Sequence, residues 1–567
     1  LNNVHKEIFV ITMKRFIAGF TVAVVLLSFS INAQSPGNPV CISSGNQQQP
    51  VVASDGVGGT IVAWHDRRNG KSEIFVQKMS ADGNPVWQNN GLPVCQQDSN
   101  FLPAIISDGT GGVIISWSSY RGGSTADIYI QKVSSTGAML WTLNGVSVCT
   151  AAFEQNNISM ISDGLGGAIL TWQDYRSNNG FADVYSQRVS TIGAVLWGAN
   201  GIAVCNEASS QLSPKMISDG SAGAFVTWSD NRAGNYDIYT QRIGSGGAVQ
   251  WTTNGVATCT MGTDQLQPDV CRDGADGIIV AWTDFRSTTD FDIYAQRVGP
   301  SGAIVWVVDG IVINNNVAYA QLDPKIVSDE LNGAIITWSD FRTGITSDIY
   351  AQRISPLGTV QWTATGVIIC TAVGDQKVSQ ITVDGSNGAY ITWEDHRNAG
   401  NSDIYAQRIA SNSALNWSAE GFEICTIANN QVNPAILSNG NLGAIVVWED
   451  FRSGSSFDIY EVGFNTTGII GIENEGTSIP EKYDLFQNYP NPFNPSTTIS
   501  FRIPETGNVK ISIFDVLGRL TDITLDEIKT AGIYSVLWNA SDLPSGIYFC
   551  RIESGEYVSE MKMILIK

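Results

Sequence analysis

The chain has 567 residues, of which 43% are hydrophobic and 15% are charged, and its formal net charge is −21. A chain of this length exceeds one ordinary core, so several domains or an array of repeats are expected, and the composition excludes a disordered protein. The negative charge argues against nucleic acid or an anionic membrane surface as a partner.

The N-terminal residues have the pattern of an export signal. A basic start at residues 13–15 is followed by an apolar run from Phe16 to Ser30 and by small residues before Gln34. We therefore expect a signal peptide over residues 1–33, of which residues 1–12 are an over-extended start, and a mature N-terminus at or close to Gln34. The apolar run is too short for a good membrane span, and we expect no transmembrane segment in the mature chain.

Residues 34–470 contain eight copies of one unit. Seven copies have a Trp-x-Asp-x-Arg element and the second has Ser119 in place of the aspartate; the spacing between successive copies is 53 to 56 residues. The elements begin at Trp64, Trp117, Trp172, Trp228, Trp282, Trp338, Trp393 and Trp448. Alternating β-branched and aromatic residues between Gly-, Asp- and Asn-rich turns predict four short strands per unit. Four-stranded repeats of this length are typical of propeller blades, so we predict an all-β fold with an eight-bladed β-propeller. A β-solenoid is the alternative.

The two ends of this array predict how the ring closes. The segment from Gly37 to Pro50 matches the end of a unit, and the eighth unit lacks that end. We therefore expect residues 38–44 to lie beside the eighth blade, near residues 457–470. Such closure removes the sheet edges that an open array would expose.

The charged residues of the repeated element have two interpretations. A sialidase-like site would use the arginines to bind a carboxylate ligand and the acids for glycosidic chemistry. Catalysis needs one asymmetric constellation, however, and eight equivalent pairs create eight similar environments. We therefore predict that the pairs hold the corner after each second strand, with Ser119 replacing Asp in the second unit. The residues are Asp66, Arg68, Asp174, Arg176, Asp230, Arg232, Asp284, Arg286, Asp340, Arg342, Asp395, Arg397, Asp450 and Arg452.

Few residues remain for a catalytic or metal centre. His65 and His396 are the two histidines of the predicted mature chain, and they are 331 positions apart. They are too few for a His-rich metal site and argue against a His-based triad. We identify no catalytic constellation and expect no cofactor and no metal, although calcium among the Asp turns stays open. Glu394 and Glu449, in adjacent units, are the one hint of a glycosidase or lyase, and we expect them to be exposed and solvated.

Seven of the eight units have a cysteine at the same position, and the remaining unit has Asn314 there. Equivalent points on adjacent blades are too far apart for a disulfide, so we predict small, buried and unbridged side chains. Cys271 and Cys550 fall outside the pattern. The seven are Cys41, Cys95, Cys149, Cys205, Cys259, Cys370 and Cys425.

One position in the connection between units carries an amide in every copy. It lies three residues before the Pro or Ser that opens the next blade, at Gln47, Asn100, Asn156, Gln211, Gln265, Gln321, Gln376 and Gln431. An amide both donates and accepts hydrogen bonds, so these side chains are suited to the backbone groups where the chain enters the ring. Alternatively, they form a ligand-binding ring around the central opening, and a ligand then lies on the face that carries these connections.

The repeat ends before a polar, acidic linker at residues 471–481, and a different domain follows at residues 482–567. Its segment YDLFQNYPNPFNPSTTISFRIP and the later short strands with Pro- and Gly-marked turns predict a small β-sandwich. The motifs resemble the C-terminal sorting domain (type A) of the type IX, or Por, secretion system of Bacteroidetes and the FlgD-type immunoglobulin-like sandwich. The matching residues are Asn488, Pro490, Asn491, Pro492, Phe493, Asn494, Pro495, Gly518, Gly546 and Lys562.

This resemblance implies a location and a partner. The type IX machinery would recognise the C-terminal domain, and the protein would pass through the periplasm to the outer surface or the medium. We therefore expect a secreted or surface-bound propeller that binds an extracellular glycan or protein. The alternatives are a propeller glycosidase or lyase and a purely structural spacer.

Overall fold

The computed structural model describes residues 37–470, except 98, 178–179, 315–317, 399 and 441, and residues 483–566, except 486–487, 489–490, 492, 494, 530–531, 542 and 556. The predicted signal peptide, its cleavage point and the predicted linker lie outside the described residues. The described residues form strands and turns and contain no helix.

The repeated region consists of 33 strands. Those up to the fourth unit are β1 (Asn38–Cys41), β2 (Gln47–Ser54), β3 (Thr60–Asp66), β4 (Glu73–Met79), β5 (Leu92–Cys95), β6 (Asn100–Ser107), β7 (Val113–Ser119), β8 (Asp127–Val133), β9 (Val146–Cys149), β10 (Gln155–Ser162), β11 (Ala168–Asp174), β12 (Asp183–Val189), β13 (Ile202–Cys205), β14 (Gln211–Ser218), β15 (Ala224–Asp230), β16 (Asp237–Ile243) and β17 (Val256–Cys259). The remainder are β18 (Gln265–Arg272), β19 (Ile278–Asp284), β20 (Asp292–Val298), β21 (Ile311–Val312), β22 (Gln321–Ser328), β23 (Ala334–Asp340), β24 (Asp348–Ile354), β25 (Val367–Cys370), β26 (Gln376–Val383), β27 (Ala389–Asp395), β28 (Asp403–Ile409), β29 (Phe422–Cys425), β30 (Gln431–Ser438), β31 (Gly443–Asp450), β32 (Asp458–Asn465) and β33 (Gly468–Ile470).

These strands form eight blades around one axis. Seven blades are four-stranded antiparallel sheets in sequence order, from β2-β3-β4-β5 in blade one to β26-β27-β28-β29 in blade seven. The first strand of each blade contacts the first strand of the next, and β30 of blade eight returns to β2 of blade one. The predicted eight-bladed β-propeller is therefore confirmed, with the first strand of each blade innermost.

Blade eight takes its outer strand from the N-terminal end of the propeller. Its sheet has the order β30-β31-β32-β1, and the register pairs Asn38 with Glu461 and Cys41 with Ile459. Val40 and Cys41 are buried there, in a cluster that includes Trp64 of blade one. The predicted ring closure is thus confirmed, because residues from both ends of the repeat share one sheet.

Apolar packing and tryptophan side chains join neighbouring blades. The tryptophan of each repeated element is fully buried, and the hydrophobic clusters contain residues from two successive blades. A second tryptophan, after the third strand, reaches the next blade: the indole N–H of Trp141 donates to Thr191 O at 3.0 Å, and that of Trp197 donates to Ser245 O at 3.0 Å. Each blade therefore completes the core of its neighbour, as the repeat architecture requires.

The C-terminal region is an immunoglobulin-like sandwich. Its strands are β34 (Asp484–Leu485), β35 (Ser496–Ile503), β36 (Gly507–Asp515), β37 (Leu520–Lys529), β38 (Gly532–Asn539), β39 (Gly546–Ser554) and β40 (Tyr557–Leu565). They form two sheets, β34-β35-β38 and β37-β36-β39-β40. Phe501 and Trp538 of one sheet pack in the same core as Ile511 and Cys550 of the other.

Candidate functional site

The repeated Asp and Arg side chains form a buried corner in seven blades. In blade six, the Arg342 guanidinium donates to both carboxylate oxygens of Asp340, at 2.8 Å from Nε and 2.6 Å from Nη2. The indole N–H of Trp338 donates to the same carboxylate at 2.8 Å. The guanidinium lies over the Tyr350 ring at 3.6 Å and also donates to Thr365 O. The carboxylate and two of the three guanidinium nitrogens are thus used inside the blade, so the pair holds the corner together.

Blade two departs from this corner. Ser119 replaces the aspartate, and Arg121 Nε donates to its hydroxyl at 3.0 Å. The serine is too short to reach the indole, so Trp117 Nε1 is buried without a hydrogen-bond partner among the residues that the structure describes. A buried N–H without an acceptor is destabilising, so blade two has a weaker corner than the other blades.

The predicted amide residues lie beneath the face that carries the inter-unit connections and the corners, here named the connection face. Seven of the eight are fully buried. Gln265 shows the arrangement: its backbone N–H donates to Tyr236 O of the preceding blade at 2.6 Å, and its side chain donates to Thr263 O at 2.7 Å. The side-chain N–H groups of Gln47, Asn100, Gln211, Gln321, Gln376 and Gln431 likewise donate to backbone carbonyls of the connections. These contacts hold the chain where it enters each blade.

The eighth amide prediction, Asn156, is wrong by one residue. In the strand register it is Gln155 that pairs with Asp174, as Gln47 pairs with Asp66, and Gln155 is fully buried. The connection of unit three contains consecutive amides, and Ile158 occupies the place of the proline that marks the next blade elsewhere. Asn156 is instead half-buried on the connection face.

A bulge in each innermost strand creates a ring of side chains that the sequence did not reveal. Two residues after each buried amide, the register shifts and the backbone adopts a left-handed conformation with φ between 51° and 56°. Seven of these side chains are exposed and Ser213 is half-buried. We name this ring the axial mouth; its residues are Gln49, Leu102, Asn157, Ser213, Gln267, Asp323, Val378 and Asn433. Since they share a position but no residue type, no sequence pattern marks them.

A groove lies on the connection face across blades one to three. It has a volume of ≈ 560 Å³, and its lining includes Phe101, Ser118, Tyr120, Glu154 and the mouth residue Asn157. The Tyr120 hydroxyl donates to Glu154 Oε1 at 2.8 Å, and this hydrogen bond raises the pKa of Tyr120. A smaller cavity of ≈ 260 Å³ shares Asn157 with it. Both Asn156 and the mouth residue Gln49 also line the groove.

The expectation that Glu394 and Glu449 are exposed is wrong. They are 5% and 1% exposed, because the neighbouring blade covers the end of the second strand. Glu394 accepts the backbone N–H of Asn433 at 2.7 Å, and Glu449 accepts that of Gln49 at 2.7 Å. Burial raises the pKa of both carboxyls. Each acid thus satisfies the bulge of the next blade, and Gln173 Oε1 does the same for Ser213 at 3.0 Å.

The two histidines and eight of the nine cysteines lie in the propeller blades, and Cys550 lies in the core of the sandwich. Burial and Arg67 lower the pKa of His65 to about 4, so its imidazole is neutral, and burial also lowers the pKa of His396. All nine cysteines are buried and unbridged, and burial raises the pKa of Cys149 to about 12. Corner arginines contact the cysteine of the preceding blade, as Arg176 does with Cys149 Sγ at 3.2 Å. Asn314 fills this slot in blade five and donates to the oxygen of the Gln321 amide.

The sorting-motif residues are placed at the start and end of the C-terminal sandwich. Asn491 donates to Lys562 O at 3.1 Å and accepts the backbone N–H of Ile564 at 2.8 Å, so the motif is joined to the last strand. Phe493 is buried against Trp538, and buried Asn488 donates to Thr497 Oγ1. Pro495 O accepts the N–H of Ala540, Gly518 occupies a turn at φ +74°, and Gly546 begins β39. Pro490, Pro492 and Asn494 lie outside the described residues.

Two further features bear on the predicted absence of a metal and of a membrane span. Among the described residues, no group of three or more His, Cys, Asp or Glu side chains is arranged to hold a metal ion. Within the part of the chain that the structure describes, no helix has the length and apolar character needed to span a membrane.

Comparison with known proteins identifies the C-terminal domain. A family model for the secretion system C-terminal sorting domain matches residues 487–567, so this domain is a type IX sorting domain. It directs export through the periplasm to the cell surface or the medium. No curated protein sequence matches the chain.

The propeller is similar to several solved structures at low identity. An endo-arabinase from Bacteroides thetaiotaomicron is 14% identical over 46% of this chain and 94% of its own, with a TM-score of 0.28. An alpha-L-arabinanase from Penicillium chrysogenum, complexed with arabinobiose, is 11% identical over 65% and 94%, with a TM-score of 0.30. An exo-beta-1,3-galactanase from Phanerochaete chrysosporium is 11% identical over 75% and 98%, with a TM-score of 0.28.

Proposed function

We propose that this protein, once its sorting domain has taken it across the outer membrane, is a binding module that holds an extracellular glycan or protein on its connection face. The observation that carries the proposal is the axial mouth. The corners and connections beneath it repeat almost unchanged, whereas the eight mouth side chains are polar, apolar or acidic in no regular order. Accessible side chains that differ from blade to blade, on a backbone that is the same in every blade, are typical of ligand recognition.

The buried amides contribute to this function through the backbone. At each of these positions the backbone N–H binds the preceding blade and the side-chain amide binds the connection, as Gln265 does with Tyr236 O and Thr263 O, so the start of the bulge two residues later is fixed. A left-handed bulge residue turns its side chain out of the regular alternation of a strand and re-aims it, which is a common use of bulges beside binding sites. The amides therefore support the mouth without contacting a ligand.

The test compares the two faces of the propeller. Exported full-length protein is screened against arrays of polysaccharides, oligosaccharides and extracellular peptides, and affinity for each binder is measured by calorimetry. The double variant Gln267→Ala with Asp323→Ala changes two mouth side chains that contact each other at 2.6 Å. We expect it to weaken binding at least tenfold.

The matched control changes the opposite face. Val57→Ala with Leu165→Ala removes two side chains, 80% and 64% exposed, from the turns between first and second strands. This variant should bind normally. Loss of binding in the turn variant alone would place the ligand on the other face and refute the proposal, and so would the absence of any binder.

A further inference from the structure

The groove across blades one to three is the least symmetric part of the connection face. Phe101 follows the buried amide and Tyr120 follows the corner serine, so blade two carries an aromatic residue at both positions. No other blade does, because the two positions hold Leu266 and Phe285 in blade five and Lys377 and His396 in blade seven. The groove thus belongs to the blade that also lacks the corner aspartate.

We infer that this groove is a binding subsite for a neutral saccharide, an inference that rests on the proposed function of the connection face. Its volume of ≈ 560 Å³ lies within the range of about 300–1,000 Å³ that small-molecule sites occupy. The cavity of ≈ 260 Å³ that shares Gln49, Leu102 and Asn157 continues it along blades one to three. A chain of sugar units fits such an extended cleft.

The aromatic residues provide an apolar floor of fixed orientation. The Phe101 ring lies 5.1 Å from the His65 ring and 5.9 Å from the Tyr120 ring, in tilted and edge-on geometries. These contacts hold the phenyl ring while it stays half-buried at the groove. The electron-rich face of such a ring attracts the C–H groups on the flat side of a sugar.

The polar groups of the groove suit hydroxyl groups. Ser118 lines the groove, but its Oγ is buried and has no hydrogen-bond partner among the described residues, as is also true of Ser229 and Ser339 at the equivalent position of blades four and six. This buried hydroxyl is therefore a feature of the repeat, and the polar groups that can face a ligand belong to the exposed and half-buried side chains. Gln49, Asn156 and Asn157 provide amides, which both donate and accept.

The charges of the residues that line the groove favour a neutral ligand. Glu154 is the one carboxylate in the lining, and it already accepts the Tyr120 hydroxyl at 2.8 Å and the Ala126 N–H at 3.2 Å. None of the described residues that line the groove is basic. A uronate or sulfated sugar would therefore find no cation here and would be repelled by a protein of net charge −21.

The experiment uses exported full-length protein and a panel of gluco-, galacto-, manno- and xylo-oligosaccharides, with uronate and sulfated oligosaccharides as charged counterparts. We expect a neutral oligosaccharide to bind, Phe101→Ala to raise its Kd at least tenfold, and Asn156→Ala, which removes a half-buried amide of the lining, to raise it about tenfold. Leu266→Ala, at the position of Phe101 in blade five, is the matched control and should bind normally. Phe101→Leu replaces Phe101→Ala if the thermal unfolding midpoint of the latter falls.

The outcomes separate this inference from the proposed function. Equal affinity in Phe101→Leu, Asn156→Ala and Leu266→Ala would overturn the subsite, while the proposed function would stand if the mouth variant still lost binding. Binding of charged oligosaccharides alone, or of a peptide alone, would overturn the neutral saccharide but keep a binding module. Absence of any binder would refute both.

Discussion

Blade eight and the seven regular blades come from the same repeat, but they are held together by different chemistry. In the regular blades, a basic residue of the third strand pairs with the aspartate of the first turn, as Arg353 does with Asp329 at 2.8 Å. In blade eight, Asn439 and Gly463 occupy these two positions. Removing one partner alone would leave a buried, unpaired charge, whereas losing both costs little. At this place the repeat thus loses a whole pair, whereas at the corner of blade two only the aspartate is replaced and Arg121 remains.

The third strand of blade eight also carries an acid that the other blades lack. Glu461 lies where the regular blades have small or apolar residues such as Ala351, and it is 2% exposed. It faces blade one, where the Thr60 hydroxyl donates to it at 2.6 Å. The closing blade thus combines a strand borrowed from the N-terminal segment and a buried carboxyl with its own corner ion pair, and it lacks the pair between third strand and first turn that the regular blades have.

The largest expected effect comes from removing the borrowed strand. A chain with the export signal joined directly to Gly45 lacks β1, so the burial of Val40 and Cys41 is lost and β32 becomes an exposed edge. At about 2 kcal/mol for each buried side chain, we expect the free energy of unfolding to fall by about 4 kcal/mol. Urea unfolding of the exported protein measures the change.

A substitution in the same strand is the control for this deletion. Pro39→Ala changes an exposed side chain of β1 and should leave the midpoint unchanged. If the deleted protein unfolded at the same urea concentration as the full chain, β1 would not be what closes the ring.

The buried carboxyl of Glu461 should make the stability of the protein depend on pH. Burial raises the pKa of Glu461 from 4.5 to about 7, so the folded protein binds this proton more tightly than the unfolded chain. Its stabilisation is complete below pH 4.5 and is lost as the pH rises to about 7, which amounts to about 3 kcal/mol. Glu461→Gln keeps an acceptor for the Thr60 hydroxyl and removes the titration. The difference in unfolding free energy between wild type and variant should therefore change by this amount from pH 4.5 to pH 8.

Glu423→Gln, at an exposed position of β29, provides the comparison for a carboxyl that is not buried. Its pH profile should follow that of the wild type. A Glu461→Gln profile parallel to the wild type would mean that the closing blade does not titrate through this residue.

A smaller gain is expected when the irregular corner of blade two is restored. Ser119→Asp supplies the missing acceptor for Trp117 Nε1 and a carboxylate for Arg121. Since an unsatisfied buried N–H costs about 1–3 kcal/mol, the variant should be about 2 kcal/mol more stable in urea unfolding. Ser135→Asp adds the same charge at an exposed turn of the same blade and should have no effect. A less stable Ser119→Asp protein would show that blade two has adapted to its serine.

The smallest effect concerns strain at the axial mouth. Val378 has φ 54°, a conformation that a β-branched residue adopts at a cost of about 1–2 kcal/mol but asparagine tolerates. Val378→Asn should therefore stabilise the protein by about 1 kcal/mol. Val373→Asn, at an 86% exposed position outside the bulge, should not. Equal unfolding midpoints for both variants would argue against backbone strain at this bulge.

Much of the fold could be predicted because the same pattern of strand and turn residues recurs eight times in the sequence. Eight tryptophans at a nearly constant spacing defined eight blades, and the similarity of residues 37–50 to a unit end defined the closure. The spacing of residues along the chain does not place every single polar residue correctly. Asn156 was assigned in place of Gln155 because consecutive amides fit the same spacing, and the strand register distinguishes them.

The candidate site depended on contacts between blades, which no local pattern records. Glu394 and Glu449 stand at strand ends that look exposed in one unit, but the next blade covers them and presents a backbone N–H to each. The mouth residues Gln49 and Leu102 follow a buried amide by two positions and share nothing else, so only the bulge identifies them.

The sequence by itself therefore determined the blades, their number and order, the closing strand and the sorting domain, because each is specified by local alternation, turn residues or a repeated motif. The tertiary structure alone decided which side chains are buried at a corner and which surround the axis. Burial of a strand end depends on the neighbour that packs against it, and a bulge re-aims a side chain against the alternation of its strand. The groove beside Phe101 and Ser118 exists only because three blades meet there.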